Sequence, residues 1–146
     1  MEQHICVRSA ILDDADDICE FVNQLEGAVF DRGKFDRYFR ENLGAERNHY
    51  LVALVDGKPV GFISCHGQIL LHHSGLVCEI QELFVDSRYR SKGVGAELIK
   101  ALETRLAKED YELLEVACSF KRTDTHRFYL ANGFGQTHYE FTKPRQ

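Results

Sequence analysis

The residues best suited to chemistry stand in one run, residues 78–102, which reads CEIQELFVDSRYRSKGVGAELIKAL. Within it Arg90, Ser91, Lys92, Gly93, Val94, Gly95 and Ala96 make a basic, glycine-containing turn that opens a helix. A helix N-terminus carries unpaired N–H groups and the positive end of the peptide dipole, so it seats anions. Gly93 and Gly95 have no side chain to hold an anion away from the backbone, and Arg90 and Lys92 add positive charge at the same point. The chemistry implied is the grip of main-chain donors on a pyrophosphate. Just upstream, Glu79 and Glu82 are carboxylates placed to take up a proton. On a regular strand a three-residue separation sends them to opposite faces, so only one faces a cleft unless the strand is bulged.

Three phosphate-binding motifs compete for this run. A Walker A loop needs Gly-Lys-Ser/Thr, which does not occur. A dinucleotide fingerprint needs a third glycine where Leu98 stands; Glu115 has the spacing of a ribose ligand but falls inside an expected strand. The pattern Arg-x-x-Gly-x-Gly between strand and helix is matched by Arg90 to Gly95 without departure. In this it resembles the acyl-CoA-binding signature of the GNAT superfamily of N-acetyltransferases.

Around that turn the chain predicts one α+β domain over residues 1–146. Ile5–Arg8 reads as a first strand, and Asp13 precedes a helix (Ala15, Ile18, Cys19, Val22, Leu25) closed near Gly27. A second helix spans about 34–42, with Phe35, Tyr38 and Phe39 on one side and Gly44 at its end. These aromatics either wall a substrate cleft or simply pack. His49–Val55 and Pro59–Gln68 are strands joined by Asp56-Gly57, a hairpin turn. Residues 69–77 look like a wide turn into the central strand. Val94, Leu98, Leu102 and Leu106 put one apolar stripe on the helix after the cradle. Then come a strand at 113–118, a helix stopped at Asn132-Gly133, and alternation over 136–142 that predicts a last strand.

Composition excludes several classes. With 44% hydrophobic and 28% charged residues the chain reads as soluble and globular, and no apolar run approaches the roughly 20 residues that span a bilayer. A net charge of −5 argues against a broad nucleic-acid surface, though not against a local anion cradle. The start, Met-Glu-Gln-His-Ile-Cys, has no leader pattern. Five cysteines without metal-ligand spacing read as free thiols in a reducing cytoplasm.

Beyond the cradle, Glu79-Ile80-Gln81-Glu82-Leu83, Lys121-Arg122, Asp124, His126–Leu130, Phe141-Thr142-Lys143 and the His72-His73 pair resemble bacterial aminoalkylphosphonate N-acetyltransferases. The resemblance implies an acetyltransferase fold: a mixed, mostly antiparallel sheet between helical layers (α/β/α), with the strands flanking the cradle helix splayed apart. It implies acetyl-CoA as co-substrate, its pantetheine arm along Leu83, Phe84 and Val85, and its diphosphate on residues 90–96. Glu79 stands where relatives place a general base. Tyr129 stands where they place an acid near the CoA sulfur, and His126 lies one turn earlier on the same helix face. A backbone N–H of Phe84 or Val85 would stabilise the oxyanion. The expected route is direct attack in a ternary complex; a ping-pong route through Cys118 is the alternative.

Region 30–47 carries the least of the resemblance and is left to shape the acceptor pocket. An aminophosphonate head would meet Lys121, Arg122, Arg127, Lys143 or His73. A divalent ion held by His66, His72 and His73, with His126 and Glu79 in reach, is a further candidate. The expected partner is a small amine, with no nucleic acid and no membrane; a homodimer is left open. Other acceptors (a polyamine, an amino acid, a protein N-terminus) and a non-catalytic acyl-CoA-binding module remain alternatives.

Overall fold

A computed structural model describes residues 4–146. The leader pattern draws partly on residues 1–3, which lie outside the described residues. Five strands form one sheet in the order β1 (Ile5–Ser9), β2 (Asn48–Val55), β3 (Lys58–Leu70), β4 (Gly75–Val85) and β5 (Tyr111–Val116). The first three ladders are antiparallel and β4–β5 is parallel. Mixed and mostly antiparallel, this is the expected α+β architecture. Asp56 and Gly57 both take left-handed φ (50° and 80°), the mirror-image turn that matches strand twist, and close Val55 onto Lys58.

Two helices cover one face. α1 (Ala15–Glu26) ends at Gly27 in the left-handed conformation, and α2 (Arg32–Leu43) starts where Asp31 accepts from the Lys34 N–H at 2.8 Å. Ile18, Phe21 and Phe39 pack there on Tyr50, Val52, Phe62 and Phe84. Phe35 stacks on Phe39 and both pack against the sheet, whereas Tyr38 is exposed beside Arg37, and none of the three lines the cavity described below. α3 (Val94–Leu106) covers the other face together with α4 (Thr123–Ala131). The stripe Val94, Leu98, Leu102 and Leu106 is joined by Ile99, and all five are buried. Each such side chain contributes about 1.5–3 kcal/mol of transfer free energy, so α3 is the best-anchored element beside the cradle.

Two irregularities shape the sheet centre. In the β3–β4 ladder Ser64 faces Glu82 while Cys65 faces Ile80, so Gln81 is an extra residue, a β-bulge. Cys78 and Ile80 therefore join the α3 side, whereas Phe84 beyond the bulge joins the α1 side. The second irregularity is a parting of strands. β4 pairs with β5 from Leu76 to Ile80 and no further, leaving Gln81–Val85 without a partner on that edge.

Elsewhere the structure departs from expectation. The wide turn at 69–77 is tight: β3 runs to Leu70, Leu71–His73 make one 3-10 turn, and β4 starts at Gly75. No strand forms over 136–142; every residue from Gly135 onward is exposed and outside the sheet. Alternation alone cannot make a strand, because a strand needs a neighbour's backbone to pair with.

Candidate active site

The parting of β4 and β5 opens a cavity of about 1020 Å³. Gln81–Val85 form one wall and Val116–Ser119 the other. Arg90, Ser91 and Gly93–Ala96 close one end, while Phe128 and Tyr129 of α4 and Gln24–Glu26 of α1 border the rest. Leu83, Phe84 and Val85 thus line a gap where β4 lacks a neighbouring strand, a place where an extended ligand can add to the sheet edge.

The cradle has the geometry an anion needs. Ser91 (φ 62°) and Gly93 (φ 87°) are both left-handed, so the chain curls before α3 begins at Val94. A Cβ on Gly93 would meet nothing within 4 Å, so glycine is required there by conformation and the amides stay uncovered. Gly95 has a different reason. A Cβ there would stand 3.0 Å from the Phe128 ring, so Gly95 lets α4 close against α3. Arg90 is held in place: its Nε donates to the Val85 carbonyl at 3.0 Å and its guanidinium lies 5.9 Å from the Phe84 ring centre. Lys92 does not line the cavity; its ammonium lies 5.8 Å from the Tyr89 ring.

The bulge at Gln81 decides where the carboxylates go. Glu79 and Glu82 both project to the α1 side, opposite His66 and Ser64 respectively. Glu82 lines the cavity. The Ser64 hydroxyl donates to its carboxylate, and Ser64 Oγ accepts from the Glu82 N–H at 3.0 Å. Glu79 sits beside the cavity rather than on its lining, and Gln81 Nε2 donates to its Oε1 at 2.9 Å. A polar patch extends from there. Asn42 Nδ2 donates to the Tyr50 hydroxyl at 3.0 Å, and that hydroxyl is 2.8 Å from His66 Nε2. Burial pushes the His66 pKa down against the pull of Glu82 and Glu79, and pushes Tyr50 up to about 12. Both are neutral at pH 7. This patch escaped sequence reasoning, because Tyr50, Ser64 and His66 come together only through strand register.

Tyr129 reaches the cavity from α4, 8% exposed, between Phe128 and Phe134, whose rings lie edge-on at 5.3 Å each. Burial, helped by Cys118 and opposed by Arg122, raises its pKa to about 12, so the phenol keeps its proton. Cys118 also lines the cavity, and burial pushes its thiol up, which leaves it a poor nucleophile at neutral pH. His126 Nε2 lies 2.7 Å from the Ser119 carbonyl and so ties α4 to the loop after β5. His126 is not on the cavity lining.

Of the basic candidates for an anionic acceptor, Arg122 lines the cavity and donates to the Leu25 carbonyl at 3.4 Å. Lys121 and His73 do not line it, and Lys121 leans toward the exposed Phe120 ring. The His72 and His73 rings lie 4.4 Å apart, tilted by 53°, in the 3-10 turn between β3 and β4. Among the described residues no three His, Cys, Asp or Glu side chains are grouped to hold a metal ion. His66 is engaged with Tyr50 instead.

Comparison with known proteins agrees with this arrangement. Residues 15–134 match the Acetyltransferase (GNAT) family. An aminoalkylphosphonate N-acetyltransferase from Salmonella typhimurium is 37% identical over 94% of this chain and 89% of its own length. Among solved structures, a transcriptional regulator from Bacillus halodurans superposes with a TM-score of 0.89 at 20% identity, covering 97% of this chain and 100% of that one. The aminoglycoside N-acetyltransferase AAC(6')-Iy in complex with CoA gives 0.89 at 19% identity, covering 100% and 97%. A strand pair that parts over a glycine-turned helix start, in a chain with these relatives, leaves one conclusion: the chain belongs to the GNAT family of acetyltransferases.

Proposed function

We propose that this chain moves the acetyl group of acetyl-CoA to the primary amine of an aminoalkylphosphonate, by direct attack within a ternary complex. One observation carries the proposal: β4 and β5 part beside an anion-seating helix start, with an acid-capable phenol on one side and two carboxylates on the other. The acceptor class is supported by the 37% identity to an enzyme of that name across most of both chains. The CoA assignment is supported by the cradle and by the similar fold solved with CoA. The proposal takes residues 1–146 as one domain. Among the described residues no helix is long and apolar enough to cross a membrane. The five cysteines are free, which fits a reducing cytoplasm.

The diphosphate sits on the amides of residues 91–96 with Arg90 beside it, and the pantetheine arm runs along Leu83–Val85. An alkylamine has a pKa of about 10, so it arrives protonated. Glu79, set back from the cavity, takes that proton through a water, while Glu82, fixed by Ser64, orients the acceptor. The freed nitrogen attacks the thioester carbonyl carbon. Because the Asp86 N–H donates to the Val60 carbonyl, alternation along β4 turns the Phe84 N–H toward β3 and leaves that of Val85 facing the gap, where it stabilises the resulting oxyanion. The C–S bond then breaks as Tyr129 gives its proton to the leaving thiolate, and the proton that the acetylated nitrogen sheds restores the phenol, giving amide and free CoA. Arg122 faces the phosphonate.

The test is a thiol-release screen over aminophosphonates, polyamines, amino acids and peptides, each with acetyl-CoA. Running it with divalent ion and with chelator separates metal-dependent from metal-free turnover. Release confined to aminophosphonates is expected. Release with peptides alone, or none with any amine while acetyl-CoA still binds, would overturn the acceptor or the enzyme assignment respectively.

A further inference from the structure

On the α1 side of the sheet a chain of polar groups runs from α2 to the strand that carries the carboxylates. The Asn42 amide nitrogen is a donor only, and it gives a hydrogen to the Tyr50 hydroxyl at 3.0 Å. Burial keeps the Tyr50 proton in place, its pKa pushed up to about 12. That proton has one partner, His66 Nε2 at 2.8 Å. A ring nitrogen that accepts is bare, so neutral His66 carries its own proton on Nδ1. Among the described residues Nδ1 has no protein partner, and the one buried side-chain polar atom left unpaired is Glu109 Oε2, so Nδ1 meets solvent. His66 stands directly opposite Glu79 in the β3–β4 ladder, where facing Cβ atoms lie about 4.5–5.5 Å apart. Gln81 holds Glu79 Oε1, which leaves Oε2 for another donor.

From this arrangement we infer that His66, fixed in its Nδ1–H form by Tyr50, is the positioning residue that holds a relay water against Glu79. The inference rests on the acetyl-transfer reading proposed above. Nδ1–H donates to the water oxygen, and the water donates to Glu79. The second lone pair of the water is then left for an N–H of the incoming ammonium. As that N–H bond breaks, the water takes the proton and passes one of its own to the carboxylate. The amine is left neutral, Glu79 protonated and His66 unchanged. The opposite tautomer would present a bare Nδ1, and the ring would compete with Glu79 for the hydrogens of the water. An anionic head group does not suit this position, because the charged groups that act on His66 are Glu82 and Glu79. Through Asn42 and Tyr50, α2 and β2 thus set the tautomer beside the base.

The test reads tautomer and turnover on the full chain. Two-bond proton–nitrogen spectra should show His66 with its proton on Nδ1 in the parent. Tyr50→Phe removes the hydrogen given to Nε2 and should move the ring proton toward that nitrogen. Amide side chains separate the two ring nitrogens in kinetics, because an asparagine amide reaches the place of Nδ1 and a glutamine amide that of Nε2. His66→Gln keeps the Tyr50 contact but loses the donor beside Glu79. Its kcat should fall on the order of 10-fold, the worth of about one hydrogen bond, while acetyl-CoA affinity holds. His66→Asn keeps that donor and should recover most of the rate. A residue that merely packs would show the reverse order, since glutamine fills the space better. A parent with its proton on Nε2, parent-like kcat in His66→Gln, or His66→Gln outrunning His66→Asn would each overturn the inference. Failure of the acetyl-transfer reading has a different signature: the parent releases no thiol with any amine, and the relay falls with it.

Discussion

Glu79 and Glu82 stand on the same face of β4 although three residues separate them, because Gln81 is an extra residue in the ladder between Ser64–Glu82 and Cys65–Ile80. A regular strand would have turned one carboxylate toward α3 and left the acceptor side with a single acid. The bulge instead gives one tethered carboxylate on the cavity and one beside it, and the two are suited to different tasks.

That division predicts a kinetic split. Glu79→Gln should lower kcat by roughly 10²–10⁴-fold, with the deepest loss at low pH where the amine is most protonated, while acetyl-CoA affinity is kept. Glu82→Gln should act chiefly on the KM for the amine, because Ser64 fixes that side chain against the cavity. Steady-state kinetics from pH 6 to 9 with calorimetry for acetyl-CoA tests both. Parent-like kinetics in Glu79→Gln would remove it from the chemistry and pass the role of base to Glu82.

Tyr129→Phe removes the proton that the leaving thiolate takes, and should lower kcat by about 10–100-fold with little change in acetyl-CoA binding. Because burial raises the phenol to about 12, its protonated form persists well above neutral pH. The parent should therefore show no alkaline loss of kcat from this group below about pH 10. The check is the pH profile of kcat for parent and variant, and an unchanged rate in the phenylalanine variant would reduce Tyr129 to packing.

The two glycines of the cradle should fail differently. Gly93→Ala puts a side chain on a residue at φ 87° and should cost about 1–2 kcal/mol of local strain, weakening acetyl-CoA binding without clashing with any neighbour. Gly95→Ala meets the Phe128 ring and should loosen α4 against α3, lowering Tm as well as affinity. Calorimetry and thermal melts on both variants separate the cases. Identical melts for Gly95→Ala and parent would show that Phe128 yields freely.

The cradle, the α3 stripe and the 56–57 hairpin were legible because each is specified by residues close in sequence: glycines at a helix start, apolar residues every fourth position, a two-residue turn. The parting of β4 from β5 entered only through family resemblance, since nothing in the spacing of Ile80 or Val116 says where a parallel ladder stops. Neither the bulge at Gln81 nor the Asn42–Tyr50–His66 chain has a local signature, because both are products of register between strands. The segment 136–142 shows the opposite limit. Its alternation is plain, but a strand exists only when another backbone pairs with it, and no described strand lies against this segment.

Outside the active site, Asp14 predicts how the fold responds to acid. It is buried, and Arg8 donates to both of its oxygens at 2.8 Å while the Ile11 N–H adds a third bond at 2.8 Å. Arg8 is the main reason its pKa lies below the usual carboxylate value; burial opposes and the Ile11 N–H assists. A carboxylate depressed in the folded state contributes stability above its unfolded pKa of about 3.9, and that contribution is lost as pH falls through the folded value. Asp14→Asn should therefore destabilise the protein by roughly 1–3 kcal/mol at pH 7, with the charge share discounted because Arg8 is 40% exposed. The gap between parent and variant should shrink as pH drops below about 4. Urea denaturation at pH 7 and pH 3 measures it, and a gap of equal size at both would show that the asparagine is disfavoured for its shape rather than for its missing charge.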